Sequence, residues 1–167
     1  MSSSAPKSSV PSGSIRGTVL GRDGGSVRST AHLDPSVFST RSLLTTPEDV
    51  KMASKMSQFK SMTPTQQKKQ QSWFDGYAKD SKCCPENNEW VRADSGMICS
   101  EGGHGMTDEM IEEGLGAICA MPKGCKGDWS KRCGPYYQVA DKGPKGEAMW
   151  KFNKGIKFPG VVPPKEK

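Results

Sequence analysis

The chain has 167 residues, 33% of them hydrophobic and 25% charged, with 19 glycines, 12 prolines, six cysteines and a net charge of +6. Counting glycine brings the apolar share near the roughly 45–50% of average globular proteins, but Leu, Ile, Val and Phe together number only 24, so a conventional core running through the whole chain is not expected. The charge is unevenly placed: residues 106–121 hold four acids and no base, whereas residues 122–167 hold eleven bases against four acids.

The N-terminal 46 residues contain no Cys or Trp, and their apolar side chains are scattered among Ser, Thr, Gly, Pro and Arg. Such a segment buries too little apolar surface to offset the entropy of ordering. Residues 1–62 are therefore expected to form a long extended or disordered arm carrying one marginal helix. Arg16, Arg22, Arg28 and Arg41 are spaced through it in a Ser/Thr-rich background, a weak mark of regulated phosphorylation.

Two helix starts follow, each with Thr before Pro. Thr46-Pro47 predicts a helix to about residue 60, with Glu48 and Asp49 in its first turn. Thr63-Pro64 predicts a second, over residues 64–78, with an aromatic edge of Trp73, Phe74 and Tyr77 and a solvent-facing run from Gln66 to Gln71. The edge is expected to dock on the cysteine-rich region. Farther on, Trp90-Val91-Arg92 and Met97-Ile98-Cys99 flank Asp94-Ser95-Gly96, a hairpin signature with Gly at a positive φ.

A glycine loop, Gly102-Gly103-His104-Gly105, leads to a third helix over residues 107–120, capped by Thr107 and ended by Pro122. Its apolar face is Met110, Ile111, Leu115, Ile118 and Cys119. Next, Tyr136 to Val139 and Ala148 to Phe152 are expected to pair as strands. The tail from residue 153 is expected to be mobile or bound to a partner, its last part, residues 159–167, a basic tail. The whole reads as a small, coil-rich α+β fold, stapled by cysteines over residues 63–158.

Cys83, Cys84, Cys99, Cys119, Cys125 and Cys133 all fall within this domain, and three readings stay open for them. Disulfides would each contribute ~3 kcal/mol to a poor core. A zinc site needs four tetrahedral ligands, usually with one tight pair; the closest set is Cys84, Cys99, His104 and Cys119, and its spacing matches no standard finger. Buried free thiols are the third reading.

Cys99 with His104 also suggests a thiolate–imidazole nucleophile, yet no orienting group or oxyanion hole accompanies the pair. The glycine loop lacks the Lys-Ser/Thr of a phosphate-binding loop, and Asp108 and Glu109 would repel phosphate. No catalytic residue, no enzyme activity and no cofactor beyond the zinc alternative are expected.

The C-terminal quarter interleaves bases with aromatics. Lys123, Lys126, Lys131, Arg132, Lys142, Lys145, Lys151, Lys154 and Lys157 are candidate contacts to an anionic partner. Lysines beside stacking rings also suit a single-stranded nucleic acid, although a solvated basic surface over buried aromatics is the commoner arrangement.

Trp90, Arg92, Gly96, Cys99, Gly102-Gly103-His104 and Asp108-Glu109 together resemble a pattern in small, uncharacterised Cys/Gly-rich proteins of filamentous fungi. The resemblance spans residues 83–120 and brings no function with it. The N-terminus shows no apolar signal region, and no apolar run approaches the roughly 20 residues that span a bilayer. An intracellular or particle-enclosed protein is expected, with unconventional export as the alternative.

The expected function is that of a non-enzymatic structural protein docking into a larger assembly through its arm and its basic C-terminal face, against an acidic protein surface. The alternatives are a single-strand nucleic-acid-binding module, zinc-stabilised or not, and a disulfide-rich secreted effector.

Overall fold

The computed structural model describes residue 38 and residues 41–101, 103–122 and 128–165. The expected arm lies largely outside these residues, as do Lys123, Cys125 and Lys126. Within them the fold is α+β, built from three helices and a six-stranded antiparallel meander in the order β1-β2-β3-β4-β5-β6.

Helix α1, Pro47–Ser54, starts with a reciprocal capping box between Thr46 and Asp49. It is shorter than expected. At Lys55 the backbone N–H turns to Met52 and Ala53, and the chain tightens into a 3-10 helix, Met56–Ser61. Met52, Ala53 and Met56 are buried. This stretch therefore belongs to the same core as the cysteine-rich region and not to an arm.

Helix α2, Pro64–Ser81, carries a second capping box, Thr63 with Gln66, and stops where Lys82 adopts a left-handed conformation. Its glutamine run is not wholly solvent-facing. Gln70 is buried and its Nε2 donates to the Met52 carbonyl at 2.6 Å, while Gln67 Nε2 donates to the carbonyls of Phe59 and Met62. The Met52 and Phe59 carbonyls already accept from Lys55 and Met62 N–H, so the amides add a second bond to carbonyls along the 3-10 segment and tie α2 to it. The aromatic edge docks as expected: Phe74 and Tyr77 are buried, and Tyr77 Oη accepts from Gly116 N–H.

Strands β1, Trp90–Ala93, and β2, Gly96–Cys99, form the expected hairpin, with Ala93 opposite Gly96 and the turn at Asp94 and Ser95. Gly96 is not at positive φ. It is there for space, since a Cβ would overlap the Met106 carbonyl on strand β3, His104–Thr107. That strand absorbs half of the expected glycine loop. Helix α3, Asp108–Glu113, then ends at Gly114, at φ 77°, far short of residue 120. Gly114 lies against Leu44, and its carbonyl accepts from Leu43 N–H at 2.7 Å. With Gly116 also at positive φ, the chain straightens, so Ile118 and Cys119 sit in strand β4, Ile118–Ala120, instead of on a helix face.

Strands β5, Cys133–Lys142, and β6, Ala148–Phe152, pair with Tyr136 opposite Phe152 and Gln138 opposite Trp150. The following segment is packed, contrary to the mobile tail expected. Phe158 is buried, Val162 N–H donates to the Arg132 carbonyl at 3.2 Å, and the Val162 carbonyl accepts from Gly134 N–H at 2.9 Å.

Successive residues of a strand face opposite ways. Ile118 belongs to a core with Met56, Phe74, Trp90, Met97 and Met106, whereas Cys119 belongs to another with Met110, Leu115, Tyr137 and Phe158. The sheet thus separates two small cores. No helix among the described residues is long and apolar enough to cross a membrane.

Candidate functional site

The five described cysteines, Cys83, Cys84, Cys99, Cys119 and Cys133, are all buried and all free. This corrects the disulfide expectation for them. The nearest approach, Cys84 Sγ to Cys99 Sγ, is 3.9 Å, against about 2.05 Å for a bonded pair. The sheet divides the set, with Cys83, Cys84 and Cys99 in one core and Cys119 in the other.

What the fold assembles instead is a thiol–imidazole cluster. The left-handed end of α2 turns the chain at Lys82 so that Cys84 follows at the edge of β1 and β2. Cys99 ends β2 opposite Trp90, and His104 begins β3 opposite Ala120. The ligand atoms of Cys84, Cys99 and His104 all lie within 4.8 Å of one another. Cys119, the fourth residue of the expected zinc set, is elsewhere, its Sγ donating to the Gly105 carbonyl at 3.3 Å.

The surroundings hold the cluster in place. Asn88 N–H donates to Cys84 Sγ at 3.4 Å. The His104 ring stands edge-on to Trp90, 5.3 Å between centroids. Its Nε2 is buried and has no hydrogen-bond partner among the described residues. A cavity of about 410 Å³ opens beside Cys84 between α2 and β1, lined by Gln71, Asp75, Asn88 and Trp90 among others.

Burial lowers the His104 pKa, and burial is also the main cause raising that of Cys99. Both shifts favour neutral forms, the reverse of the thiolate–imidazolium pair a cysteine nucleophile needs. Burial likewise pushes the Cys83 and Cys119 thiols up to about 12. Cys83 Sγ points to the Ala78 carbonyl at 3.6 Å, outside the cluster.

The C-terminal quarter forms a second place of interest. A groove of about 620 Å³ is lined by Phe152, Ile156, Phe158, Val161, Pro163 and Pro164, with Lys154, Lys157 and Lys165 on it as well. The three lysines are exposed. Lys142, Lys145 and Lys151 are exposed too, around the turn and outer strand of the β5–β6 hairpin, while Lys131 pairs with Asp128 at 3.2 Å.

Arg132 does not join this face. It is buried, its guanidinium 4.7 Å from the centroid of the Trp129 ring and donating to Ser95 Oγ at 3.0 Å. No Trp, Tyr or Phe among the described residues is fully exposed.

Sequence reasoning marked three of the cluster residues and most of the basic ones. It missed the cavity residues Gln71, Asp75 and Asn88 and the Pro163-Pro164 wall, whose composition carries no chemical signal. Comparison of the chain with known protein families, curated proteins and solved structures finds no match.

Proposed function

We propose that this chain is a non-enzymatic interaction protein that docks an acidic polypeptide segment, as part of a larger assembly, in its C-terminal groove. The observation that carries this reading is the groove itself. Phe152, Ile156 and Val161 supply an apolar floor, and the exposed Lys154 and Lys157 stand beside it with no ion pair among the described residues.

An apolar floor rewards burial of a side chain at ~25 cal/mol per Å². Lysines beside it select acidic neighbours and raise the encounter rate. The aromatics that would serve as base-stacking platforms are instead partly or wholly buried, which weighs against a single-strand binder.

Fluorescence anisotropy tests the reading with three probes: a peptide alternating Glu with Leu and Phe, its Lys counterpart, and an oligothymidine strand. The acidic peptide should bind, weaken as salt rises, and lose at least fivefold in affinity in the Lys154→Glu/Lys157→Glu variant. Tighter binding of oligothymidine, or equal binding of the acidic and basic peptides, would overturn it.

A further inference from the structure

We infer that Cys84, Cys99 and His104 form a site for a zinc ion, with the fourth coordination position left, among the described residues, to water or to a donor from a bound molecule. The inference is independent of the groove and concerns the opposite end of the sheet order, where β1, β2 and β3 meet the end of α2.

Geometry is the first support. Zinc–sulfur bonds of about 2.3 Å at a tetrahedral angle place two thiolates about 3.8 Å apart. Cys84 and Cys99 stand at 3.9 Å, and all three ligand atoms fall within 4.8 Å.

The orphaned imidazole nitrogen is the second. Buried polar atoms in folded proteins are nearly always partnered, yet His104 Nε2 is buried with no hydrogen-bond partner among the described residues, on a ring that sets one of its nitrogens within 4.8 Å of both sulfurs. Mere thiol contact leaves that nitrogen unexplained, and a disulfide would consume both sulfurs without serving it. A metal ion satisfies all three groups at once.

Preorganisation is the third. Cys99 ends β2 and His104 begins β3, while Cys84 lies in the turn after α2, its carbonyl accepting from Asn87 N–H at 3.1 Å; the backbone around them is pinned by Ser100 N–H to the Glu89 carbonyl at 2.8 Å and Met121 N–H to the Gly103 carbonyl at 2.9 Å. Asn88 N–H on Cys84 Sγ is the kind of outer-shell bond that orients a thiolate ligand.

The donor set selects the ion. Two thiolates and one imidazole are too soft for calcium or magnesium and match borderline ions, zinc foremost, at four-coordinate geometry. Binding displaces the two thiol protons and uses neutral imidazole, so Zn²⁺ enters as two H⁺ leave. Among the described residues the site has three protein ligands, because Cys83 and Cys119 direct their thiols to the Ala78 and Gly105 carbonyls.

The full chain, purified under reducing conditions, should carry one zinc per molecule by elemental analysis. After chelation and refilling with cobalt(II), it should show thiolate-to-cobalt charge transfer and the intense d–d bands of a tetrahedral site. Cys99→Ser should lower zinc affinity at least a hundredfold and His104→Ala at least tenfold, whereas Cys119→Ser should leave it unchanged.

X-ray absorption on the unaltered zinc-loaded chain does not depend on any variant folding, and it should resolve two sulfur and two nitrogen or oxygen neighbours. Failure to take up one equivalent of zinc with all six thiols reduced would overturn the inference. So would a four-sulfur shell, retention of zinc by the Cys99→Ser variant, or a Cys84–Cys99 disulfide as the sole form in protein isolated without reductant.

Discussion

The Arg92 guanidinium holds the Asp108 carboxylate in a two-pronged grip, Nη1 to Oδ1 at 2.5 Å and Nη2 to Oδ2 at 2.7 Å, which ties β1 to the first residue of α3. Both side chains are nearly buried, at 12% and 10% exposure. The guanidinium also lies over Phe59, 5.4 Å from the ring centroid. This pair links the 3-10 segment, the first hairpin and the short helix.

Removing one partner of a buried pair leaves the other charge unpaired, at a cost of about 3–5 kcal/mol. Arg92→Met should therefore lower stability by about that amount in urea unfolding. Arg92→Met/Asp108→Leu should recover most of the loss, because desolvation of both charges disappears together. A double variant no more stable than the single one would contradict this account.

Asp49 gives the acid limb of the stability curve a defined origin. Its pKa is lowered, first by the hydrogen bond from Trp73 Nε1 and then by that from Thr46. A carboxylate with a depressed folded pKa contributes stability that is fully present above the unfolded pKa and is lost as pH falls through the folded one. The loss should begin below the ordinary value of 3.8. Asp49→Asn should flatten the curve in that range, and Thr46→Ala should cost ~1 kcal/mol at neutral pH, both read by circular dichroism.

Gly96 and Gly105 test close packing. A Cβ at Gly96 would overlap the Met106 carbonyl and the Thr107 backbone, and one at Gly105 would overlap the Trp129 ring and the Met97 carbonyl. Backbone has little room to yield at either position, so Gly96→Ala and Gly105→Ala should each cost ~1–3 kcal/mol. Equal melting temperatures for Gly96→Ala and the unaltered chain would argue against this strand pairing.

Metal removal should be visible in stability as well as in spectroscopy. An ion that binds only the folded chain stabilises it by RT ln(1 + [L]/Kd), ~2.7 kcal/mol at a hundredfold excess over Kd. Chelation should lower the melting temperature of the unaltered chain and not that of Cys99→Ser. Calorimetry with and without chelator measures the difference.

The helix starts at Thr46-Pro47 and Thr63-Pro64 were legible in the sequence, because a cap and its first turn are closed by bonds three residues apart. So was the hairpin from Trp90 to Cys99, where a two-residue turn sets the register locally. The end of α3 was not. Met110 to Cys119 has a helical apolar period, and what overrides it is packing of Gly114 and Gly116 against Leu44 and Leu43, some seventy residues earlier in the chain.

The cluster shows the same division. Sequence alone determined that the cysteines and His104 share one region, and it put Cys84, Cys99, His104 and Cys119 in one candidate set. Tertiary structure decided that the first three meet and the fourth does not. Alternation along β4 sends Cys119 through to the second core, while the left-handed turn after α2 brings Cys84 to the first. The sheet face that Cys119 takes and the place to which that turn delivers Cys84 are not encoded in spacing along the chain until the strands have paired.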